Sequence, residues 1–294
     1  MHSIKAHMRE LKAPFVLIYL SLMGFLCIYS VQRYLHLRFE PMSCLSFMGI
    51  IFGVYTLNRF TDTAEDFTND IGRLLFFQRK RSFLAIAILS LAASMGFLLW
   101  AEKLNWMHCL LLAMGFAYSY RVVPWFDRAS GFQLLRIKEM TFLKNLSVSF
   151  LWGAAVFVVP IAYSGIVAFD HKMVWLLASG LFVSTFNNTL FDDILDEAGD
   201  RVAGIKTLPT TWGVRRSEFM LMALDLVWLG AVAALYSARH VDGAHALFLA
   251  FLGIYPFFYL VPHLRTKTNK GWIDLLAETD LLFFAVGMLL LSFR

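Results

Sequence analysis

Residues 173–200 read MVWLLASGLFVSTFNNTLFDDILDEAGD, an apolar run of bilayer length that ends directly in five carboxylates. A membrane-spanning helix needs about 20 mostly apolar residues, and 173–191 comes close to that length. A carboxylate at membrane depth costs about 2.5–3.5 kcal/mol on insertion scales, so acids abutting a span mark a function. If the helix continues past the apolar run, Asp192, Asp196 and Asp200 recur every four residues and stack on one face, with Asp193 and Glu197 in an adjacent row. Residues 192–196, DDILD, set two adjacent carboxylates one helical turn before a third. Like charges at that spacing repel unless a cation lies between them, and an all-oxygen donor set suits Mg²⁺.

Working outward, the rest of the chain repeats the apolar theme. Of its 294 residues, 59% are hydrophobic and 16% charged, against roughly 25% charged in an average soluble domain. Nine spans are predicted, at approximately 14–31, 42–57, 83–100, 104–122, 145–163, 173–191, 218–236, 245–262 and 277–292. The charge pattern tests that count, because cytoplasmic loops collect Lys and Arg. With the N-terminus in the cytoplasm, only Arg33, Arg38, Lys103, Lys172, Arg239 and Arg294 of the 26 Lys and Arg residues fall outside. The expectation is an all-α, polytopic transmembrane bundle of about nine helices around a central cavity. Residues 1–294 form one domain, with no Pro-, Gly- or Ser-rich linker to divide them. The start of the chain lacks a clear cleavage site and reads as a retained first helix, and the expected location is a cell membrane such as the bacterial inner membrane.

A second acidic stretch, Asn58-Arg-Phe-Thr-Asp62-Thr-Ala-Glu-Asp66, follows the second span on the same side. Asn58, Asp62 and Asp66 again share one helix face at four-residue spacing. One acidic loop beside a membrane is unremarkable. Two on the same side, each closing an apolar helix at matching spacing, could face each other and hold two or three Mg²⁺ around one diphosphate. The other compositional signals are quieter. Cys27, Cys44 and Cys109 lack ligand spacing and read as small core residues. The basic balance is explained by topology and anionic substrates, with no nucleic acid implied.

Together Asn58-x₃-Asp62-x₃-Asp66 and Asp192-x₃-Asp196-x₃-Asp200 resemble the two Asp-rich motifs of the UbiA-type intramembrane prenyltransferases. The stretch 199–213, GDRVAGIKTLPTTWG, is similar to the segment after that family's second motif. Tyr118-Ser-Tyr-Arg121 resembles its Tyr-x-x-Lys motif, with Arg for Lys. Arg59 stands where the first motif often carries Asp, and the usual Arg-Pro pair is absent from residues 70–82.

The resemblance implies an allylic prenyl diphosphate donor, an aromatic or lipid-like acceptor, Mg²⁺ as cofactor and a cytoplasmic site bordered by membrane lipid. Asp62, Asp66, Asp192 and Asp196 are the expected metal ligands, with Asn58 and Asp200 as further candidates. Arg121, Lys138, Lys144 and Lys206 are candidates for diphosphate contact, although the positive-inside rule alone also accounts for them. Lys12 is a weaker candidate of the same kind. Tyr118 and Tyr120 lie at the cytoplasmic end of the fourth span, where ring faces could stabilise an allylic cation. Two other readings remain open at this level. A cyclase of the same fold would ionise a prenyl diphosphate without an external acceptor. A transporter would use its carboxylates for coupling ions.

Overall fold

A bilayer offers the backbone no water, so a chain that crosses it closes its N–H and C=O groups within helices. The structure, a computed structural model, describes residues 2–62, 67, 76–77, 81–127, 131–164, 170–266, 273 and 276–294. Its helices are α1 (His2–Tyr34), α2 (Pro41–Thr61), α3 (Ser82–Trp100), α4 (Trp106–Ser119), α5 (Leu143–Ser164), α6 (His171–Val202), α7 (Leu208–Trp212), α8 (Val214–Ser237), α9 (Gly243–Ile254), α10 (Phe257–Thr266) and α11 (Asp280–Leu291). Among the described residues seven segments are long and apolar enough to cross a membrane: Pro14–Tyr34, α2, α3, α5, α6, α8 and Gly243–Arg265, which joins α9 and α10. The expected fourth span is the shorter α4, and the expected ninth contains the 12-residue α11.

The basic segment between α4 and α5 departs from a purely helical reading. It forms an antiparallel hairpin of β1 (Val123–Asp127) and β2 (Gly131–Leu135), then a 3₁₀ turn at Ile137–Glu139. Cys109 is a second correction, because it is exposed on α4 while Cys27 and Cys44 are buried as expected.

α6 is the most enclosed of the candidate spans, whereas α3 and α8 are largely exposed. The outward faces of those two carry Leu89, Trp100, Leu226 and Val227, the apolar surface that a lipid environment covers. Leu177 and Leu181 of α6 belong to a core shared with Ile28, Phe47, Phe157 and Phe284. Further along α6, Phe186, Leu190, Phe191 and Ile194 pack in a second cluster with Leu221, Tyr255 and Tyr259. At 32 residues α6 is about 48 Å long, well beyond the roughly 30 Å hydrocarbon core. The excess carries the acidic residues.

Small residues let the helices approach closely. A Cβ on Gly287 of α11 would lie 2.1 Å from the Phe248 ring of α9. Gly287→Ala is therefore expected to destabilise the protein by about 1–3 kcal/mol through overpacking. A lowered thermal midpoint in detergent, restored by adding Phe248→Leu, is the measurement that checks it.

Candidate active site

Acidic residues occupy two kinds of helix end here. Asp170 caps the start of α6, accepting hydrogen bonds from the amides of Lys172 (2.9 Å) and Met173 (3.3 Å). Asp242 does the same for α9 with Ala244 (2.8 Å) and His245 (3.2 Å). Those positions suit a carboxylate, which satisfies orphan N–H groups and the positive end of the helix dipole. Asp62 and the Asp192–Asp200 group lie at the opposite kind of end. Asp62 is the C-cap of α2, and the five acids occupy the last three turns of α6. There the dipole is unfavourable, so capping does not account for them and cations must.

The structure supplies those cations to Asp62. Its carboxylate is 4% exposed and pairs through Oδ1 with the Lys138 ammonium, itself 3% exposed. Arg136 Nη1 lies 3.8 Å from the same oxygen. Asn58 Nδ2 donates to Asp62 Oδ2 at 2.8 Å, one turn earlier on α2, as the four-residue spacing predicts. The 3₁₀ turn that carries Lys138 is fixed by Glu139, whose Oε2 accepts the Arg136 amide at 2.9 Å. Glu139 Oε1 also accepts from Arg121 Nη2 (2.9 Å) and Arg136 Nη2 (3.0 Å). Burial alone would raise the Glu139 carboxyl, but that amide and the two guanidiniums outweigh it and hold it below the usual carboxylate range.

The α6 acids divide by helix face. Asp193 is buried; its Oδ1 pairs with the Lys144 ammonium, and its Oδ2 accepts from Asn145 Nδ2 at 3.0 Å. Asp200 is also buried, within electrostatic range of Lys144. Asp192 is exposed and lies within electrostatic range of Tyr55 on α2, which is in turn within range of Arg59. Asp196 is half-buried one turn beyond Asp192. Glu197 forms a surface pair with Arg201 at i,i+4.

Tyr118, half-buried near the end of α4, lies within electrostatic range of Lys144, Asp193 and Asp62 together. That neighbourhood joins the end of α2 to the end of α6. The structure thus brings together Asn58, Asp62, Tyr118, Lys138, Lys144 and Asp200, with Arg121 attached through Glu139. Lys206 is exposed, and no described hydrogen bond or ion pair joins it to this group. Tyr120 turns away and stacks on Phe116, ring centroids 4.6 Å apart. Asp66 lies outside the described residues. Sequence reading passed over Arg136, Asn145 and Glu139, and placed Asp193 in a secondary row.

Among the described residues no three His, Cys, Asp or Glu side chains converge as a metal cluster. Mg²⁺ needs fewer, since it takes one or two carboxylates and completes its shell with water and phosphate oxygens. Asn58 Oδ1, beside Asp62, is buried without a hydrogen-bond partner. An orphaned oxygen next to a carboxylate is donor chemistry that fits such an ion.

The sequence pattern of the UbiA prenyltransferase family matches residues 17–287, nearly the whole chain. The chain belongs to that family. Curated relatives include a digeranylgeranylglyceryl phosphate synthase of Methanobrevibacter smithii, 22% identical over 71% of each chain. A digeranylgeranylglyceryl phosphate synthase of Methanothermobacter thermautotrophicus is 34% identical over 34% of this chain, and the match spans 37% of that protein's length. Among solved structures, the apo UbiA homologue of Aeropyrum pernix superposes with TM-score 0.68 at 16% identity, covering 93% of this chain and 98% of its own. The UbiA homologue of Archaeoglobus fulgidus, solved with GPP and Mg²⁺, superposes with TM-score 0.66 at 14% identity, covering 97% of this chain and all of its own. This UbiA chain is accordingly an integral membrane prenyltransferase with the family's transmembrane bundle.

Proposed function

We propose that this UbiA chain, acting as a single transferase domain, moves a prenyl group from an allylic prenyl diphosphate to a hydroxyl-bearing, lipid-like acceptor. The observation that carries the reading is the pair of helix-end carboxylates, Asp62 and Asp193, each held by a lysine and both within range of Tyr118. A glycerophosphate-type lipid is the first acceptor to test, because two relatives are named as digeranylgeranylglyceryl phosphate synthases. The site faces the cytoplasm, on the side where most Lys and Arg fall.

In the reaction the bond between the allylic carbon and the diphosphate oxygen breaks, its electron pair leaving with the diphosphate. A bond from the acceptor oxygen to that carbon forms, and the acceptor's proton passes to the released diphosphate or to water. Asp62 with Asn58 Oδ1, and Asp192 with Asp196, are the residues that would hold Mg²⁺, with Asp66 and Asp200 as the further candidates of the two Asp-rich stretches. When bound, the ion neutralises charge developing on the leaving group. Lys138, Lys144 and Arg136 offer fixed positive charge to the diphosphate oxygens from positions already set by protein contacts, which is what preorganised stabilisation needs. Tyr118 offers an aromatic face for the allylic carbon as it becomes positive.

The test is product analysis by mass spectrometry on purified protein in vesicles with Mg²⁺, a panel of prenyl diphosphates, and aromatic or glycerophosphate-type acceptors. Prenylated acceptor and free diphosphate in equal amounts are expected. Hydrocarbon formed from donor alone would assign a cyclase instead. Removing divalent metal with EDTA is expected to lower turnover at least about 10³-fold, with recovery on adding Mg²⁺. Turnover that persists undiminished in chelator would overturn the metal reading.

A further inference from the structure

The β1–β2 hairpin presents a surface that the transfer chemistry does not use. Its register sets Phe126 opposite Phe132 and Pro124 opposite Leu134. Directly paired residues share a face, and alternate residues share it too. One face is therefore entirely apolar: Pro124, Phe126, Phe132 and Leu134. It is also bare, with Phe126 72%, Phe132 69% and Leu134 49% exposed. The two strands pack mainly on each other, and an isolated two-stranded hairpin is at best marginally stable in water. Something must cover this face.

We infer that the apolar face of the hairpin is seated in the interfacial layer of the lipid leaflet at which α4 ends and α5 begins. Tether length carries part of the argument. Only residues 120–122 separate α4 from β1, a reach of about 10 Å when extended, so the hairpin stays at the membrane surface. Continuity carries the next part. Exposed Phe116 and Tyr120 stack at the end of α4, and exposed Phe142 and Leu143 open α5, so apolar surface flanks the hairpin on both sides. Aromatic side chains favour this layer. Charge adds to it, because Arg121, although paired with Glu139 at 2.9 Å, keeps a side chain 67% exposed at the same level, where it suits anionic headgroups. The chain passes from β2 directly to Arg136 and Lys138, the cations on Asp62, so a seated hairpin ties one wall of the site to the leaflet.

The test places a nitroxide at one introduced cysteine in the full chain, with Cys109 replaced and the buried Cys27 and Cys44 kept, in vesicles of phosphatidylcholine and phosphatidylglycerol. Labels at Phe126→Cys and Phe132→Cys are expected to be accessible to oxygen and shielded from a water-soluble nickel chelate. The label at Gln133→Cys, on the opposite, half-buried face beside Trp125, is expected to be less accessible to oxygen than either. Nickel access at all three positions would overturn the inference. So would dipolar coupling between chains at 126 and 132, which would assign the face to a second copy. The unmodified protein gives an independent measurement: a photoactivatable phospholipid is expected to label the peptide covering 123–135. Its absence there, with labelling of α3 and α8, would equally overturn the assignment.

Discussion

Asp62→Ala is expected to lower turnover by about 10³-fold, in the range seen when a preorganised charge contact at a reacting group is lost. The same change removes one partner of a buried ion pair, since Lys138 and Asp62 are 3% and 4% exposed. Breaking such a pair from one side costs about 3–5 kcal/mol, because the remaining charge is stranded. Activity could then fall only because the protein unfolds, and the experiment needs a second arm. In Asp62→Ala with Lys138→Met, both charges are gone and the stranded ammonium with them. That variant is expected to regain most of the lost thermal stability and to stay inactive. Because Lys138 is itself proposed to contact the diphosphate, this variant reads stability alone, and the role of Asp62 in turnover is read in Asp62→Asn. Asp62→Asn adds a third check, because it retains a group for Asn58 to hydrogen-bond while losing the charge. Turnover near wild type in Asp62→Asn would remove Asp62 from the site.

The positions that sequence alone placed well are those where one rule acts without competition. The acidic end of α6 follows from helix length, because a 32-residue helix exceeds the hydrocarbon core and its excess must be polar. The Asn58–Asp62 contact follows from four-residue spacing alone. Asp193 was harder to rank. Spacing makes the row Asp192, Asp196, Asp200 and the row Asp193, Glu197 equally regular, and only packing decides which one turns inward. It turns Asp193 and Asp200 in and leaves Asp192 exposed. The hairpin was masked by charge. Arg121, Arg128 and Arg136 made residues 121–136 read as a basic loop, although the short apolar runs VPWF at 123–126 and FQLL at 132–135, with Gly131 between them, were there to be found. Arg136 gained its role only because the hairpin returns the chain to α2, and nothing local marks its contact with Asp62, 74 positions away. Glu139 acts closer to home, on Arg136 three residues before it and on Arg121 eighteen residues before it.

Lys144 and Lys206 make the sharpest contrast that follows from this geometry. Both were candidates for diphosphate contact on sequence grounds, and charge rules treat them alike. The structure separates them: Lys144 pairs with buried Asp193 beside Tyr118, whereas Lys206 is exposed. A charge in water at about 0.15 M salt is screened over about 8 Å, so Lys206 contributes little to a diphosphate bound between α2 and α6. Lys144→Met is expected to lower kcat/KM for the donor by about 10²-fold or more, and Lys206→Met by no more than roughly 3-fold. Lys144→Met also strands the buried Asp193 carboxylate, which keeps the hydrogen bond from Asn145 Nδ2 at 3.0 Å, so the thermal midpoint is measured alongside the kinetics. Lys144→Arg discriminates further. A guanidinium keeps the charge but not the compact ammonium geometry, so partial recovery of kcat/KM is expected at unchanged thermal midpoint. Donor kinetics in vesicles with saturating Mg²⁺ measure all three variants. Equal losses in Lys144→Met and Lys206→Met would mean that the diphosphate lies elsewhere than between Asp62 and Asp193.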